Sequence, residues 1–584
     1  MADDSPLDVD DVPDVGVVDE LVLAGGFDPP TVDQWRRLVA KVLQVDPAEV
    51  PEPEAGLDTV LPDGIELHPL YTAADALPGA GLPGQAPFLR GGSASGNRGG
   101  WDVRQRYAYA DPTVARERIM EDLDGGVSSL WLAVGEGGIP IASLPAVLRE
   151  VYLDLATVAL DPGTQARAAA DAFLALADDK SLGNLGIDPL GLLARTGSGG
   201  DLVDVTELGN RCAAEFPRMR AAVVDALPYH EAGATDVLEL GCAIATGVAY
   251  LRALEELPIA DAFRQLEFRL AATDDQFATI ASLRAARRLW GRIAELCGAS
   301  GDVGMRQHAV SSPPMYARRD PHNNILRGAI ACFAAGVGGA DAVTVLPFDT
   351  AIGQPDALAR RVARNTHALI VEESNVAQVI DPAGGSWYVE QLTEQLATHA
   401  WQWFQDIEAA GGMAEALTSG LVTDRIAQVR DARIVAIGRG EQIVTGVSAF
   451  PNLAETPLVR DPLPPVPTGG FPRIRWSQWH EDLRDRADAL DEPSVVVVAA
   501  GEGRPQTGRI SSLLAPTGLS VATGEVGRGA IVVVTATEDT DPAAAVSAAE
   551  LAGAGLVLGP DDVGNGTDVL ALGARILDAL EGQT

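Results

Sequence analysis

The feature that most constrains the fold is an alternation of short apolar runs with longer helical stretches over residues 101–420. Four apolar runs predict strands, at residues 128–134, 221–227, 266–271 and 342–347. Helical patterns lie between them, for example at 237–254 and 277–296. Strand and helix alternating over about 300 residues is typical of a (β/α)₈ barrel, with parallel strands inside and helices outside.

A second, shorter α/β pattern follows a linker rich in proline and glycine. Strand-like runs recur at 495–498, 531–535 and 556–558, with helical patterns at 543–554 and 567–580. This order predicts a small doubly wound domain, shorter than a five-stranded version. The predicted segments are an acidic disordered tail (1–25), a helix with an extended arm (26–100), the barrel with its outer helices (101–453), the linker (454–490) and the small α/β domain (491–584).

Charge and composition exclude several classes of function. The formal net charge is −39, and a surface this negative repels nucleic acid and anionic lipid. No apolar run is long enough to cross a bilayer, and the N-terminus lacks a signal-peptide pattern. The four cysteines include no C-x-x-C pair and the seven histidines are scattered, so no metal site is expected. We predict a cytoplasmic protein that binds neither nucleic acid nor membrane.

Several short motifs occur in a fixed order along residues 30–450. They include P-L-Y-T at 69–72, P-F-L-R-G at 87–91, Y-H-E-A-G-A-T at 229–235, L-R-A-A-R-R-L-W at 283–290 and D-P-A-G-G-S-W-Y-V-E at 381–390. This ordered set resembles the methylmalonyl-CoA mutase family of adenosylcobalamin-dependent enzymes. The resemblance implies a barrel threaded by the pantetheine chain of CoA and a flavodoxin-like, cobalamin-binding-type domain after it. It also implies a radical interconversion of methylmalonyl-CoA and succinyl-CoA, in which the cofactor supplies the radical.

Residues that the family uses for catalysis are replaced at the matched positions. A family tyrosine falls at Gly96, shortly before the matched Trp101, and a histidine of a later barrel strand falls at Thr344. The active-site histidine matches Pro228 in an ungapped alignment and His230 in a gapped one. We favour the ungapped alignment because it leaves the preceding strand in register. The resemblance therefore implies no catalytic residue in this chain, with His230 as a vestigial candidate.

The turn after the strand at 495–498 also departs from the family. The family carries an aspartate and a cobalt-ligating histidine there, whereas this chain has Gly503 and Pro505. Neither side chain can ligate a metal. The G-x-x-x-x-G spacing of this turn lacks the lysine and the Ser/Thr of a phosphate loop. We expect that this chain binds no cobalamin of its own.

The composition of the barrel strands points to a filled axis. Bulky side chains stand at strand positions Leu130, Trp131, Leu132, Val223, Val224, Val343 and Val345. Because alternate residues of a strand face inward, some of these side chains must enter the barrel. We therefore expect bulky, branched side chains to fill the axis in layers, in place of a channel for a ligand.

Together these features predict the non-catalytic small subunit of a heterodimeric mutase. A homologous large subunit would carry the CoA ester and adenosylcobalamin, across a large, partly apolar contact. The extended arm is a candidate for wrapping that partner. Two alternatives stay open: an acyl-CoA mutase competent in its own right with His230 active, and a module that docks a mutase chaperone GTPase. The substrate stays open between methylmalonyl-CoA, isobutyryl-CoA and ethylmalonyl-CoA.

Overall fold

The structure is a computed structural model, and it describes residues 26, 30–301, 303–465, 468–490, 493–501, 505–536, 540–564 and 566–582. The described chain divides into two compact units, residues 1–70 and 71–584. The predicted acidic tail, residues 1–25, lies outside the described residues. The five segment boundaries given above stay predictions.

The N-terminal unit contains one helix and one small hairpin. Helix α1 (Val32–Leu43) begins with a capping box, in which Thr31 and Gln34 each accept the other's backbone N–H. Thr31 is thus the N-cap residue. Strand β1 (Thr59–Val60) pairs antiparallel with β2 (Glu66–Leu67). Helix α1 is amphipathic, but only Val39 and Ala40 of it are buried.

The second unit begins with a closed barrel of eight parallel strands, as the sequence pattern predicts. Its strands are β3 (Asp102–Tyr107), β4 (Ser129–Ala133), β5 (Thr157–Asp161), β6 (Gly183–Ile187), β7 (Met219–Asp225), β8 (Leu266–Ala272), β9 (Gln307–Ser311) and β10 (Ala342–Thr344). Each strand pairs with the next along the chain, and β10 closes the barrel on β3.

Helices cover the outside of the barrel. They are α2 (Pro112–Asp124), α3 (Leu144–Val147), α4 (Ala166–Leu174), α5 (Pro189–Thr196), α6 (Val203–Glu215), α7 (Leu227–Glu231), α8 (Asp236–Ala253), α9 (Ile259–Arg264), α10 (Gln276–Leu296), α11 (Asn323–Val337) and α12 (Ala357–Ala368). Side chains of Thr235, Asp275 and Asp356 cap α8, α10 and α12 by accepting backbone N–H groups.

Three further helices follow, within the segment predicted to hold the outer helices: α13 (Trp387–Ala409), α14 (Met413–Thr418) and α15 (Leu421–Gly438). Helix α13 packs across α8 and α10. This second layer explains why α8 and α10 are buried on almost every face.

The linker runs along the rim formed by the C-terminal ends of the barrel strands. We call residues 455–476 the collar, of which 466 and 467 lie outside the described part. Arg460 pairs with Asp349 and Asp356, which follow β10. Further along, collar N–H groups donate to carbonyl oxygens of the segments that follow β6, β7 and β9: Phe471 to Ala194 of α5, Ile474 to Glu231 of α7, and Trp476 to Pro314. Active sites of such barrels form at this rim, so the collar lies on the functional face.

After the collar, α16 (Gln478–Asp488) leads into the predicted small α/β domain. Its elements are β11 (Ser494–Ala499), α17 (Thr507–Leu514), β12 (Ser520–Ala522), β13 (Ile531–Thr535), α18 (Ala543–Leu551), β14 (Leu556–Leu558) and α19 (Val569–Glu581). The sheet is parallel, with strand order β12-β11-β13-β14. Val533 and Val532 belong to apolar clusters on opposite faces of it, as a doubly wound sheet requires. Strand β12 was not predicted, because only Val521 of its three residues is a bulky apolar residue and the segment does not stand out as an apolar run.

Candidate functional site

A buried ion pair spans the inside of the barrel. Arg104 of β3 donates to Oε1 of Glu267 on β8 at 2.5 Å and to Oγ of Ser129 on β4 at 2.8 Å. The side chains of Arg104 and Glu267 are both buried. Burial alone would raise the pKa of Glu267, but the charge and hydrogen bond of Arg104 outweigh burial and lower that pKa to about 2. Both groups are therefore charged at neutral pH.

Toward the C-terminal ends of the strands, an aromatic and a second ion pair fill the interior. Arg269 of β8 donates to Asp225 of β7 at 2.6 Å, and its guanidinium carbon lies 4.1 Å from the centre of the Trp131 ring. Arg106 of β3 also lies over this ring, at 5.1 Å. His308 of β9 meets the same ring edge-on, at 5.4 Å between ring centres. Trp131 is thus held between charged side chains in the middle of the barrel.

His308 and Thr344 connect two neighbouring strands in this layer. Arg269 Nε donates to His308 Nδ1 at 3.2 Å, which leaves Nε2–H to donate to the Thr344 hydroxyl at 2.8 Å. Burial, followed by the nearby arginines, lowers the pKa of His308 well below its ordinary value. The imidazole is therefore neutral. At Thr344, where the sequence resemblance predicts the position of a family histidine, an imidazole reaches the side chain from the adjacent strand.

The interior is filled, but not by branched apolar side chains as predicted. Leu132 pairs in register with Tyr107, whose hydroxyl reaches Asp122 of α2, so both side chains face the helices. Val224 pairs with Phe268, which also faces the helix layer. Parallel strands are apolar on their helix-facing side, and that side accounts for most of the predicted set.

His230 lies on the functional rim, in α7, and joins three elements. Its Nε2 is 2.7 Å from the hydroxyl of Ser312, which follows β9, and its Nδ1 is 3.0 Å from the carboxylate of Glu239 on α8. Glu239 accepts the backbone N–H of Ala271 at 2.8 Å. The ring of Trp476, in the collar, meets the imidazole edge-on at 6.1 Å. All three polar side chains are buried.

A serine, a histidine and a carboxylate in this order resemble a nucleophile, its base and the group that orients the base. Such chemistry also needs N–H groups that stabilise the oxyanion beside the nucleophile. The N–H of Ser312 already donates to Ala272 at 2.7 Å, and the next two residues, Pro313 and Pro314, have no N–H. The arrangement therefore bridges α7, α8 and β9 without equipping Ser312 for acyl transfer.

The other predicted positions lie apart from His230. Pro228 is buried in the same short helix, α7. Gly96 lines a cleft with Trp101 and Asp341, which lie at the N-terminal ends of β3 and β10, and also with Arg287. The guanidinium of Arg287 is already used, because it donates to four protein oxygens: Phe88 O, Leu89 O, Gly338 O and Gln307 Oε1. The structure does not bring Gly96, Thr344 and His230 together into one site.

Comparison with known proteins assigns these features to a family. The sequence model described as Methylmalonyl-CoA mutase matches residues 61–137 and 201–464. The chain belongs to the methylmalonyl-CoA mutase family.

Three relatives that are similar over most of their length are described as small subunits of this enzyme. The methylmalonyl-CoA mutase small subunit of Streptomyces virginiae is 52% identical over 508 residues, which cover 84% of this chain and 82% of that relative. The small subunit from Propionibacterium freudenreichii subsp. shermanii is 39% identical, over 86% of this chain and 81% of the relative. A probable small subunit from Mycobacterium tuberculosis strain H37Rv is 44% identical, over 78% of this chain and 76% of the relative. In the described part of this chain, no helix is long and apolar enough to span a membrane.

Adenosylcobalamin, which the mutase family implies, does not fit the described part of the turn before α17. Pro505 has no ligating atom in its side chain. The backbone N–H of Gln506 donates to Thr535 Oγ1, and its side-chain amide donates to Ala536 O, so both donors already have protein partners. Gly503 lies outside the described residues. Among the described residues, no three or more His, Cys, Asp or Glu side chains are grouped to hold a metal ion.

We expect Ser312 to be unreactive toward a fluorophosphonate probe, because no backbone N–H beside it can stabilise the oxyanion. Intact mass spectrometry after incubation should show no adduct, while trypsin treated in parallel is labelled. The Ser312→Ala variant is the matched control and should likewise show no adduct. A stoichiometric adduct that disappears in Ser312→Ala would contradict this prediction.

Proposed function

We propose that this mutase-family chain is the non-catalytic small subunit of a heterodimeric methylmalonyl-CoA mutase. A homologous large chain carries both the CoA ester and adenosylcobalamin. Three of its most similar relatives are named as small subunits of this enzyme, one of them with the qualifier probable. The observation that carries the proposal is the charged network inside the barrel.

The network occupies the space that a threaded ester would need. A pantetheine chain along the axis would have to displace Arg104 or Trp131 from the interior. Displacing Arg104 would leave Glu267 buried without its partner, and breaking a buried pair in this way costs about 3–5 kcal/mol. The ester would have to offset this cost from its own binding energy. A barrel arranged in this way favours a supporting role over catalysis.

The N-terminal unit offers a surface for the partner. On α1, Leu38 and Val42 are 63% and 79% exposed, although they share a face with the buried Val39. Outside the helix, Val60 of the hairpin is also exposed. Fewer than 50 described residues cannot bury enough apolar surface by themselves, and exposed apolar faces mark protein contacts. We assign this face to the large chain.

Co-expression with a large-chain candidate tests the proposal. We expect a complex with one copy of each chain by native mass spectrometry, and mutase activity only when the large chain is present. After incubation with adenosylcobalamin and gel filtration, this chain alone should elute without corrinoid absorbance. Turnover or retained corrinoid in the isolated chain would favour an autonomous mutase, and association with a GTPase but not with the large chain would favour a chaperone-docking module.

A variant of this chain separates a supporting role from a catalytic one. We expect His230→Gln to leave the activity of the two-chain complex within twofold of wild type, because the reacting groups lie in the other chain. An activity loss of a hundredfold or more, with the complex still intact by mass, would place His230 in the reaction and contradict the proposal.

A further inference from the structure

Helix α16 has two faces of opposite chemistry. Leu483 and Ala487 are four positions apart and are buried. Glu481, Asp485 and Asp488 are four and three positions apart, and this spacing places them together on the other side of the helix. The two faces contact different parts of the second unit, so α16 determines how those parts are held together.

The apolar face of α16 belongs to the small α/β domain. Leu483 and Ala487 lie in one buried apolar cluster with residues of β11, β13 and α19. Gly518, which precedes β12, lies so close to the helix that a Cβ added to it would be 2.8 Å from the Cβ of Ala487. Because this face is close-packed, α16 must move with the small domain if that domain moves at all.

The acidic face of α16 is bound by the segment that follows β9 on the barrel rim. Glu481 is buried, and its Oε1 accepts the backbone N–H of Arg318 at 2.6 Å. Its Oε2 accepts from the side chain of Arg318 at 3.2 Å and from that of Arg475 in the collar. Burial would raise the pKa of Glu481, but Arg475 and then Arg318 outweigh burial and lower that pKa. The carboxylate is therefore charged, and both of its oxygens have partners outside the small domain.

Two further carboxylates of α16 extend this contact toward solvent. Asp485 pairs with Arg318 at 2.8 Å and with Arg319 at 2.6 Å, and Asp488 pairs with Arg319 at 2.6 Å. Isolated ion pairs at a surface contribute little, but these pairs share their arginines with each other and with a buried carboxylate. We call Glu481 and these four residues the α16 network.

A second contact joins the small domain to an outer helix of the barrel. A Cβ added to Gly438 of α15 would lie 2.6 Å from Oδ1 of Asp568, the N-cap residue of α19. This oxygen accepts the N–H of Ala571, which fixes the side chain. Two contacts restrict rotation of the small domain more than the α16 network could alone.

Domains joined by a linker rich in proline and glycine are expected to move relative to each other unless a sufficient contact holds them. We infer that the α16 network holds the small α/β domain in one orientation on the barrel rim and prevents it from swinging on the collar. A swinging motion would have to remove α16 either from the core of the small domain or from the arginines of the rim. This inference goes beyond the proposed function, since it concerns the motion of this chain alone.

Single-molecule fluorescence transfer within the isolated chain tests the inference. One dye is attached at Leu358→Cys, in the first turn of α12, and the other at Leu551→Cys, on α18, because both positions are exposed. The exposed Cys297 is replaced by serine, and the other three cysteines are buried. We expect one narrow population, as narrow as that of a pair within the barrel, Leu358→Cys with Leu155→Cys.

Reversal of one charge should release the domain. Arg319→Glu places a carboxylate against Asp485 and Asp488, and we expect the distribution of transfer efficiencies to broaden at least twofold. Adding Asp488→Arg gives the new carboxylate a cationic partner and should reverse at least half of the broadening. The matched control is Arg486→Glu, because Arg486 of α16 pairs with α19 inside the small domain, and its distribution should be as narrow as that of wild type.

Three results would contradict the inference. The first is a wild-type distribution already twice as broad as that of the pair within the barrel. The second is an Arg319→Glu distribution as narrow as that of wild type, because other contacts would then hold the domain. The third is a broad Arg319→Glu distribution that Asp488→Arg does not narrow, because local unfolding and not lost charge pairing would then release the domain. None of these measurements uses the large chain, so the proposed function is tested separately by co-expression.

Discussion

Replacing Arg104 by methionine is expected to destabilise the barrel by about 3–5 kcal/mol. The guanidinium lies inside the barrel and holds both Glu267 and Ser129. Methionine keeps most of the side-chain volume but leaves the Glu267 carboxylate buried without its charged partner, and desolvation of that group is no longer compensated. Urea unfolding followed by tryptophan fluorescence at pH 7.5 measures the change.

Two further variants separate the buried pair from arginine loss in general. Arg292→Met removes an exposed partner of Glu295 on α10 and should cost less than about 1 kcal/mol. The double variant Arg104→Met with Glu267→Met removes both charges and should recover most of the lost stability, because two apolar groups of similar size can replace a buried pair. A single Arg104→Met variant as stable as Arg292→Met would contradict the role given to this pair.

The barrel and the small domain could be predicted because their signal is local and repeated. Strand β8 at Leu266–Ala272 and helix α10 at Gln276–Leu296 lie within one residue of their predicted bounds. The charged side chains inside the barrel were not predicted, although the sequence of β3 and β8 indicates them. Arg104 with Arg106, and Glu267 with Arg269, stand two residues apart in strands that must be buried on both faces. Residues two positions apart lie on the same face of a strand, so this spacing indicates a polar barrel interior.

The candidate site was less predictable because its partners are distant in sequence. His230 stood out, but Ser312 lies 82 positions away and meets it only because β7 and β9 end on the same rim of the barrel. Trp476 reaches the same rim through the collar, whose proline-rich composition predicts a linker but not its path. Spacing along a chain carries no information on such contacts.

The second large effect concerns Asp188, a buried carboxyl group that follows β6. Its Oδ1 accepts the N–H of Gly191 at 3.0 Å and the hydroxyl of Tyr250 at 2.5 Å. Burial, followed by repulsion from Asp225, raises the pKa of Asp188 from 3.8 to about 6. The folded chain therefore holds this proton more tightly than the unfolded chain. Stability should rise by up to about 3 kcal/mol as the pH falls from above 6 to about 4.

Glu267 produces the opposite change at lower pH. Its pKa is depressed to about 2 in the folded chain, from an ordinary value of 4.5. The stability that this group contributes is complete above pH 4.5 and is lost as the pH falls toward 2. Wild type should therefore be most stable near pH 4–5.

Asp188→Asn is expected to reduce the rise in stability between pH 7 and pH 4 by about 2–3 kcal/mol while leaving the decline below pH 4 in place. Asparagine is neutral at every pH, keeps an oxygen for Gly191 and Tyr250, and should make the chain about 2–3 kcal/mol more stable than wild type at pH 7.5. Acidification also weakens the repulsion caused by the net charge of −39, but it does so in both proteins. The difference between their urea midpoints at pH 7.5, 5.5 and 4 therefore measures the contribution of Asp188. As a control, Asp482→Asn changes an exposed carboxylate of α16, and its urea midpoint should change with pH in the same way as that of wild type. A difference between Asp188→Asn and wild type that stays constant over this range would show that folding does not raise the pKa of Asp188, and the pH maximum would then need another cause.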